Sequence, residues 1–292
     1  MTYSIIGRDR RTGEIGAAVQ SKFPGVGTIV LHGKAGAGCL TTQAFSNPAH
    51  GQAGLDLMEL GASPKEALAI LLRGDEDIDQ RQVALLNLNG EPAAHTGETV
   101  ISWEGFAGSK IGCDCVVSGN ALAGEEVLLA MVEAFTAEEG ELAARLIAAL
   151  QAGQSAGGEL RGQQSASVIV VKSDGGYGGV AGRHVDISVY DHATPIDELA
   201  RCYQLHRLSY FKSDPNDLLP ISGALALELK EILTRKGYAV SEADGWNSLD
   251  IAALERFMGM ENYDNRLRSD AQIDAEVLED IRAKHGAIAH DG

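Results

Sequence analysis

The chain has 292 residues, of which 45 % are hydrophobic and 22 % charged, enough apolar material for a substantial core and more than one domain. A formal net charge of −17 argues against nucleic acid and anionic membrane surfaces as partners. No apolar run approaches the roughly 18 residues of a membrane span, and no basic stretch followed by an apolar segment opens the chain, so no signal peptide is expected and a cytoplasmic location fits best.

The opening runs YSIIGRD and IGAAVQS predict two strands around a turn at Thr12-Gly13, and GTIVLHG and GAGCLTTQAF predict two more. Asn47-Pro48 starts a helix that ends near Gly61, and the capping-box spacing of Ser63 and Glu66 starts a second. RQVALLNLNGEPAAHTG reads as a hairpin turning at Asn89-Gly90. GEEVLLAMVEAF predicts a helix, and the box Thr136-Ala137-Glu138-Glu139 is expected to open the next, GELAARLIAALQAG. SASVIVV and RHVDISVYD read as strands, the second alternating Val185, Ile187 and Val189 with polar neighbours, and Thr194-Pro195 opens a closing helix. Strands, helices, strands, helix is not the alternation of a doubly wound fold; it predicts an α+β domain of antiparallel sheets with helices outside them. Residues 1–212 form this domain, 213–222 with two prolines a linker, and 223–292, with helical patterns around Leu229, Leu254 and Leu278, a small helical domain.

Four cysteines, Cys39, Cys113, Cys115 and Cys202, are too few for a disulfide scaffold. Cys113 and Cys115 lack the second pair a zinc site needs and read as buried strand thiols. His32, His50, His95, His184 and His192 are scattered without ligand spacing, so neither metal nor cofactor is expected. Ser165 and His95 have no evident acid partner for a serine site. One feature of the start carries chemistry. Thr2 becomes the first residue if Met1 is trimmed, and a terminal threonine holds a hydroxyl nucleophile and an amine base together.

The stretch GQSAGGELRGQQSASVIVV, residues 153–171, with the opening TYSIIGRDRRTGEIGAAVQSKFPGVG, resembles a bacterial family called domain of unknown function 1028. AGAGCLTTQAFSNPAHGQAGL, AAHTG, GNALAG and YGGVAGRHVDISVYDH extend the resemblance over nearly all of residues 2–212. That family is placed among the N-terminal-nucleophile hydrolases, which implies a four-layer αββα sandwich of two antiparallel sheets with the nucleophile at the end of a central strand. The tail LKEILTRKGYAVSEADGWNSLDIAALERFMGMENYDNR resembles a peptidoglycan-binding module.

The resemblance makes Thr2 the catalytic nucleophile. Lys34 stands near the spacing at which proteasome-type relatives carry an essential lysine, though an exposed strand-end lysine is the better reading from the letters. Those relatives also carry an acidic residue where this chain has Ala18, a departure from the pattern. Asn120 is placed after a strand, to donate to an oxyanion or to cap the next helix. Thr42, Gln43 and Asn47 lie where a strand end meets a helix start and would line a cleft. Arg161 would grip a substrate carboxylate or pin the glycine-rich loop.

Two functions follow. The first is amide hydrolysis through a Thr2 acyl-enzyme on a small-molecule amide or peptide, peptidoglycan fragments included. The alternative is a non-catalytic scaffold of the same architecture that binds a ligand or assembles; a homo-oligomer is expected.

Overall fold

A computed structural model describes residues 1–176, 179–180 and 182–286. The chain divides into two compact units, Met1–Tyr203 and Gln204–Gly292. No described helix is long and apolar enough to cross a membrane.

The first unit opens with β1 (Thr2–Asp9) and β2 (Glu14–Ser21), the expected hairpin. Gly27–Val30 then form a short helix, α1, where a strand was expected, and only Leu31–Lys34 extend as β3. Gly27 is pressed against Ser167, where a Cβ would lie 2.2 Å from the hydroxyl oxygen, so the chain coils there before it extends. After β4 (Gly38–Ala44) come α2 (Ala49–Glu59) and α3 (Pro64–Arg73), the latter opened by the Ser63–Glu66 capping box. β5 (Arg81–Leu86) and β6 (Ala93–Thr96) make the hairpin read from Asn89-Gly90, whose amides both donate to Asn87 Oδ1.

A short α4 (Glu98–Ile101) and β7 (Phe106–Ile111) precede β8 (Cys115–Leu122), which carries Asn120 inside the strand rather than after it. Cys115 is buried there, whereas Cys113 is exposed in the preceding turn, against the expectation that both are buried. α5 (Glu126–Ala137) runs through Thr136, whose hydroxyl turns back to the Val132 carbonyl. The expected box at Thr136 therefore opens nothing, and α6 (Leu142–Ser155) starts after Gly140, at positive φ, has broken the chain. β9 (Ser165–Val171), β10 (Arg183–Val189) and α7 (Pro195–Tyr210) follow, and the division between the units falls within α7.

Among the described residues all strand pairs of this unit are antiparallel, in a six-stranded sheet of order β10-β9-β2-β1-β8-β7 and a four-stranded sheet of order β3-β4-β5-β6. Period-two alternation gives each strand two faces. One buried cluster joins Ile6, Val19, Val116 and Ile169 of the larger sheet to Cys39, Ala84 and Leu86 of the smaller. On the other face of β1, a Cβ on Gly7 would lie 2.4 Å from the ring of Phe135 of α5, so that ring packs against the strand backbone closer than any larger residue allows. The other face of the smaller sheet gives Leu40, Val83 and Leu85 to a cluster with Leu55, Met58, Leu68 and Leu71 of α2 and α3.

In the second unit, β11 (Leu218–Pro220) pairs antiparallel with β12 (Gln272–Asp274), so part of the segment read as a linker is held in a small ladder. α8 (Gly223–Arg235), α9 (Ser248–Met260) and α10 (Ala275–His285) are the three helices read from the tail. They bury Leu229, Leu233, Leu254, Phe257, Val277 and Ile281 in one core. A buried ion pair, Arg266 Nη1 to Asp274 Oδ2 at 2.7 Å, ties the chain between α9 and α10 to the cap of α10.

Candidate functional site

Thr2 opens β1 on the face shared with Ser4, Ile6 and Arg8, and its register partners are Ser21 on β2 and Asn120 on β8. The space between the sheets is apolar around Ile6 and changes character toward the start of β1. There it holds Thr2, Ser4, Ser21, Gln43, Gln82 and Asn120, all buried. Thr2 Oγ1 donates to Ser21 Oγ at 3.0 Å, and Ser21 Oγ donates to the Met1 carbonyl at 2.7 Å. Arg161 Nη2 donates to the same carbonyl at 3.0 Å, so two donors converge on the acyl oxygen next to Thr2.

The glycine-rich loop supplies that arginine. Leu160 N bonds to Ala121 O and Ala123 N to Gly158 O, which pins the loop to the end of β8. Glu159, only 3 % exposed, takes Arg161 Nε on Oε1 at 2.5 Å and the Lys22 amide on Oε2 at 2.8 Å. Burial and the Arg161 guanidinium hold the Met1 amine below its ordinary range, with Glu159 opposing. The loop glycines Gly157, Gly158 and Gly162 all have positive φ, a path that side-chain-bearing residues rarely follow.

A buried amide hub stands across from Thr2. Gln82 Nε2 lies 2.9 Å from Gly119 O, 3.1 Å from Gly108 O and 3.0 Å from Thr96 Oγ1. Gln82 Oε1 accepts from Gln43 Nε2 and from Asn120 Nδ2, each at 2.8 Å. Asn120 is thus brought beside Thr2, but its amide nitrogen is turned to Gln82. The donors that meet an acyl oxygen here are Ser21 and Arg161.

The other expected residues stand elsewhere. Lys34 ends β3 opposite Gly38, five residues along β4 from Gln43, or about 17 Å. Its ammonium pairs with Glu59 at 2.6 Å and Asp56 at 3.5 Å, and the bond to Glu59 raises its pKa. Thr42 points to the opposite face from Gln43, where its hydroxyl accepts from the Asn47 amide at 3.2 Å. Asn47 caps α2 through Ala49 N and reaches Asp75 Oδ2 at 3.5 Å. Asp75 binds Arg81 Nε at 2.8 Å and lies 3.1 Å from His50 Nε2, a buried cluster bracing the ends of β4 and β5. The Arg81 hydrogen bonds take the Asp75 pKa down to about 2, and burial lowers that of His50. Thr2, Gln43, Asn120 and Arg161 are therefore brought together, while Lys34, Thr42 and Asn47 are not.

Sequence reasoning missed Gln82, Ser21 and Glu159. The available signal was an amide interrupting the buried run RQVALL, and a serine closing IGAAVQS. A cavity of 440 Å³ lies at the far ends of these strands, among Gly13, Ile15, Gly38, Asn87 and Val171, away from Thr2. Among the described residues, no group of three or more His, Cys, Asp or Glu side chains is placed to hold a metal ion.

These sheets and helices define a mixed α/β protein with a helical C-terminal region. Residues 2–199 match the model of a family described as a family of unknown function, DUF1028, and the chain belongs to that family. Residues 210–280 match a model described as "Putative peptidoglycan binding domain". The crystal structure of protein SPO2555 from Silicibacter pomeroyi, a DUF1028 protein, is 30 % identical and superposes with a TM-score of 0.63, covering 77 % of this chain and 91 % of that one. No curated protein matches.

Proposed function

We propose that the first unit is an N-terminal-nucleophile amide hydrolase of four-layer αββα architecture, with Thr2 as nucleophile once Met1 has been removed. The observation that carries the reading is the relay from Thr2 Oγ1 through Ser21 Oγ to the Met1 carbonyl, with Arg161 on the same oxygen. The layer order is supported by the core shared between the sheets and by the separate helix pairs on their outer faces.

In this reading the Met1 carbonyl stands in for the acyl carbonyl of a substrate. The free amine of Thr2 takes the Oγ1 proton, and Oγ1 attacks the carbonyl carbon. Ser21 and Arg161 hold the developing oxyanion. Arg161, rather than Lys34, is the cation beside the Thr2 nitrogen, through its bond to the Met1 carbonyl. The C–N bond breaks as the leaving amine takes the proton from the Thr2 ammonium, and water then hydrolyses the ester. Substrates are small amides or peptides, and the match over residues 210–280 supports peptidoglycan fragments as a source of them.

The test uses full-length protein released from a ubiquitin fusion so that it begins at Thr2. A β-lactone is expected to add one acyl group at Thr2, located by peptide mass mapping, with no addition to the Met1-bearing chain or to Thr2→Ala. Equal labelling of Thr2→Ala would falsify the assignment.

A second reading, a ligand-binding scaffold without catalysis, is favoured by one observation. Ala18 stands where related enzymes carry an acid, and the carboxylate nearest in the network, Glu159, is engaged by Arg161 and Lys22. Protein beginning at Thr2 that binds amides but resists every acylating reagent would establish it.

A further inference from the structure

The amide orientations around Gln82 are forced in sequence. The carbonyls of Gly108 and Gly119 accept only, so the Gln82 atom facing them is nitrogen and the atom facing away is oxygen. That oxygen accepts only, so Gln43 and Asn120 both present their NH2 groups to it. Their own carbonyl oxygens, Gln43 Oε1 and Asn120 Oδ1, are therefore turned the other way. Both residues are at least 99 % buried, and neither oxygen meets a donor among the described residues. Buried acceptors left unpaired are costly, and these two stand on one hub. Asn120 is also the register partner of Thr2 on the same face, which puts their Cβ atoms about 5 Å apart.

We infer that Gln43 Oε1 and Asn120 Oδ1 form a paired acceptor for the two hydrogens of an unsubstituted carboxamide, R–CO–NH2. Ser21 and Arg161 are two donors for its carbonyl and the amide pair two acceptors for its nitrogen, which matches the polar groups of a primary amide in number and kind. The inference rests on the Thr2 reading for cleavage but not for binding. In cleavage, Thr2 Oγ1 forms the ester bond as the C–N bond breaks, and the nitrogen leaves as ammonia carrying the former hydroxyl proton. Water then releases the acid, so R–CO–NH2 and H2O give R–COOH and NH3. An N,N-dialkyl amide offers no hydrogen to either oxygen and puts carbon against both.

The experiment titrates 15N-labelled full-length protein beginning at Thr2 with propanamide and with N,N-dimethylpropanamide. The side-chain NH2 resonances of Gln43 and Asn120 are followed, assigned by their loss in Gln43→Glu and Asn120→Asp. Propanamide is expected to shift both and to bind at least about tenfold more tightly than the dimethyl analogue, the effect of leaving buried acceptors unpaired. Equal affinity for the two amides, or no shift at either resonance, overturns the inference. Selective binding of propanamide without β-lactone labelling of Thr2 leaves it standing and removes the hydrolase reading. Labelling with no preference between the amides does the reverse.

Discussion

The space between the two sheets has two ends built on the same strands. Around Ile6, Val116, Ala84 and Leu86 it is an ordinary apolar core, held by burial and tolerant of any side chain of the right volume. Two turns of the alternation away, around Thr2, Gln43, Gln82 and Asn120, it is equally buried but polar, and its amide nitrogens and the Gln82 oxygen each depend on particular partners. A chain that needed only stability would carry the apolar pattern to both ends. On the function proposed above, the Thr2 end is the place where stability has been given up for recognition.

The comparison breaks most sharply at Gln82. Gln82→Leu keeps the volume but strands two side-chain amides and two backbone carbonyls, and unfolding in urea is expected to show a loss of about 4 kcal/mol. At the apolar end, Ile6→Ala removes methylenes without stranding a polar group, and about 3 kcal/mol is expected from the same measurement. A loss at Gln82 smaller than at Ile6 would show the hub to be dispensable.

Acid sharpens the contrast from outside the sheets, because the His50–Asp75–Arg81 cluster braces the strand ends that carry Gln43 and Gln82. Asp75 has a folded pKa of about 2, depressed from 3.8, so its stabilisation is complete above pH 3.8 and is lost as pH falls toward 2. His50, buried and lowered from 6.5, acts in the same direction at higher pH, since the unfolded chain takes up its proton first. Stability is expected to decline below about pH 6.5, with about 2 kcal/mol attributable to Asp75, and Asp75→Asn should flatten the lower limb. The smallest effect is expected at Thr2 itself. In protein beginning at Thr2, Thr2→Ala should change stability by less than about 1 kcal/mol while abolishing acylation, because the hydroxyl makes a single bond to Ser21.

Much of the fold was legible in the letters. The first hairpin, the Ser63 capping box, the Asn89-Gly90 turn and the three tail helices rest on periodicity and local hydrogen bonds, which neighbours in sequence decide. Thr2 and Arg161 were legible as candidates because a terminal hydroxyl and a glycine-framed arginine are chemically conspicuous. Lys34 misled because spacing along the chain says nothing of which end of a sheet a strand terminus reaches. Thr42 and Gln43 are adjacent in sequence, and only the direction of the pleat decided that one braces a turn and the other joins the site. Gln82 was invisible because its role is made of partners 14, 26, 37, 38 and 39 residues away. Local pattern thus determined which segments became strands and helices. The register of β1 against β2 and β8, and the meeting of the two sheets, decided which side chains share one buried space. Hydrogen-bond orientation there is a property of the assembled set and of no residue alone.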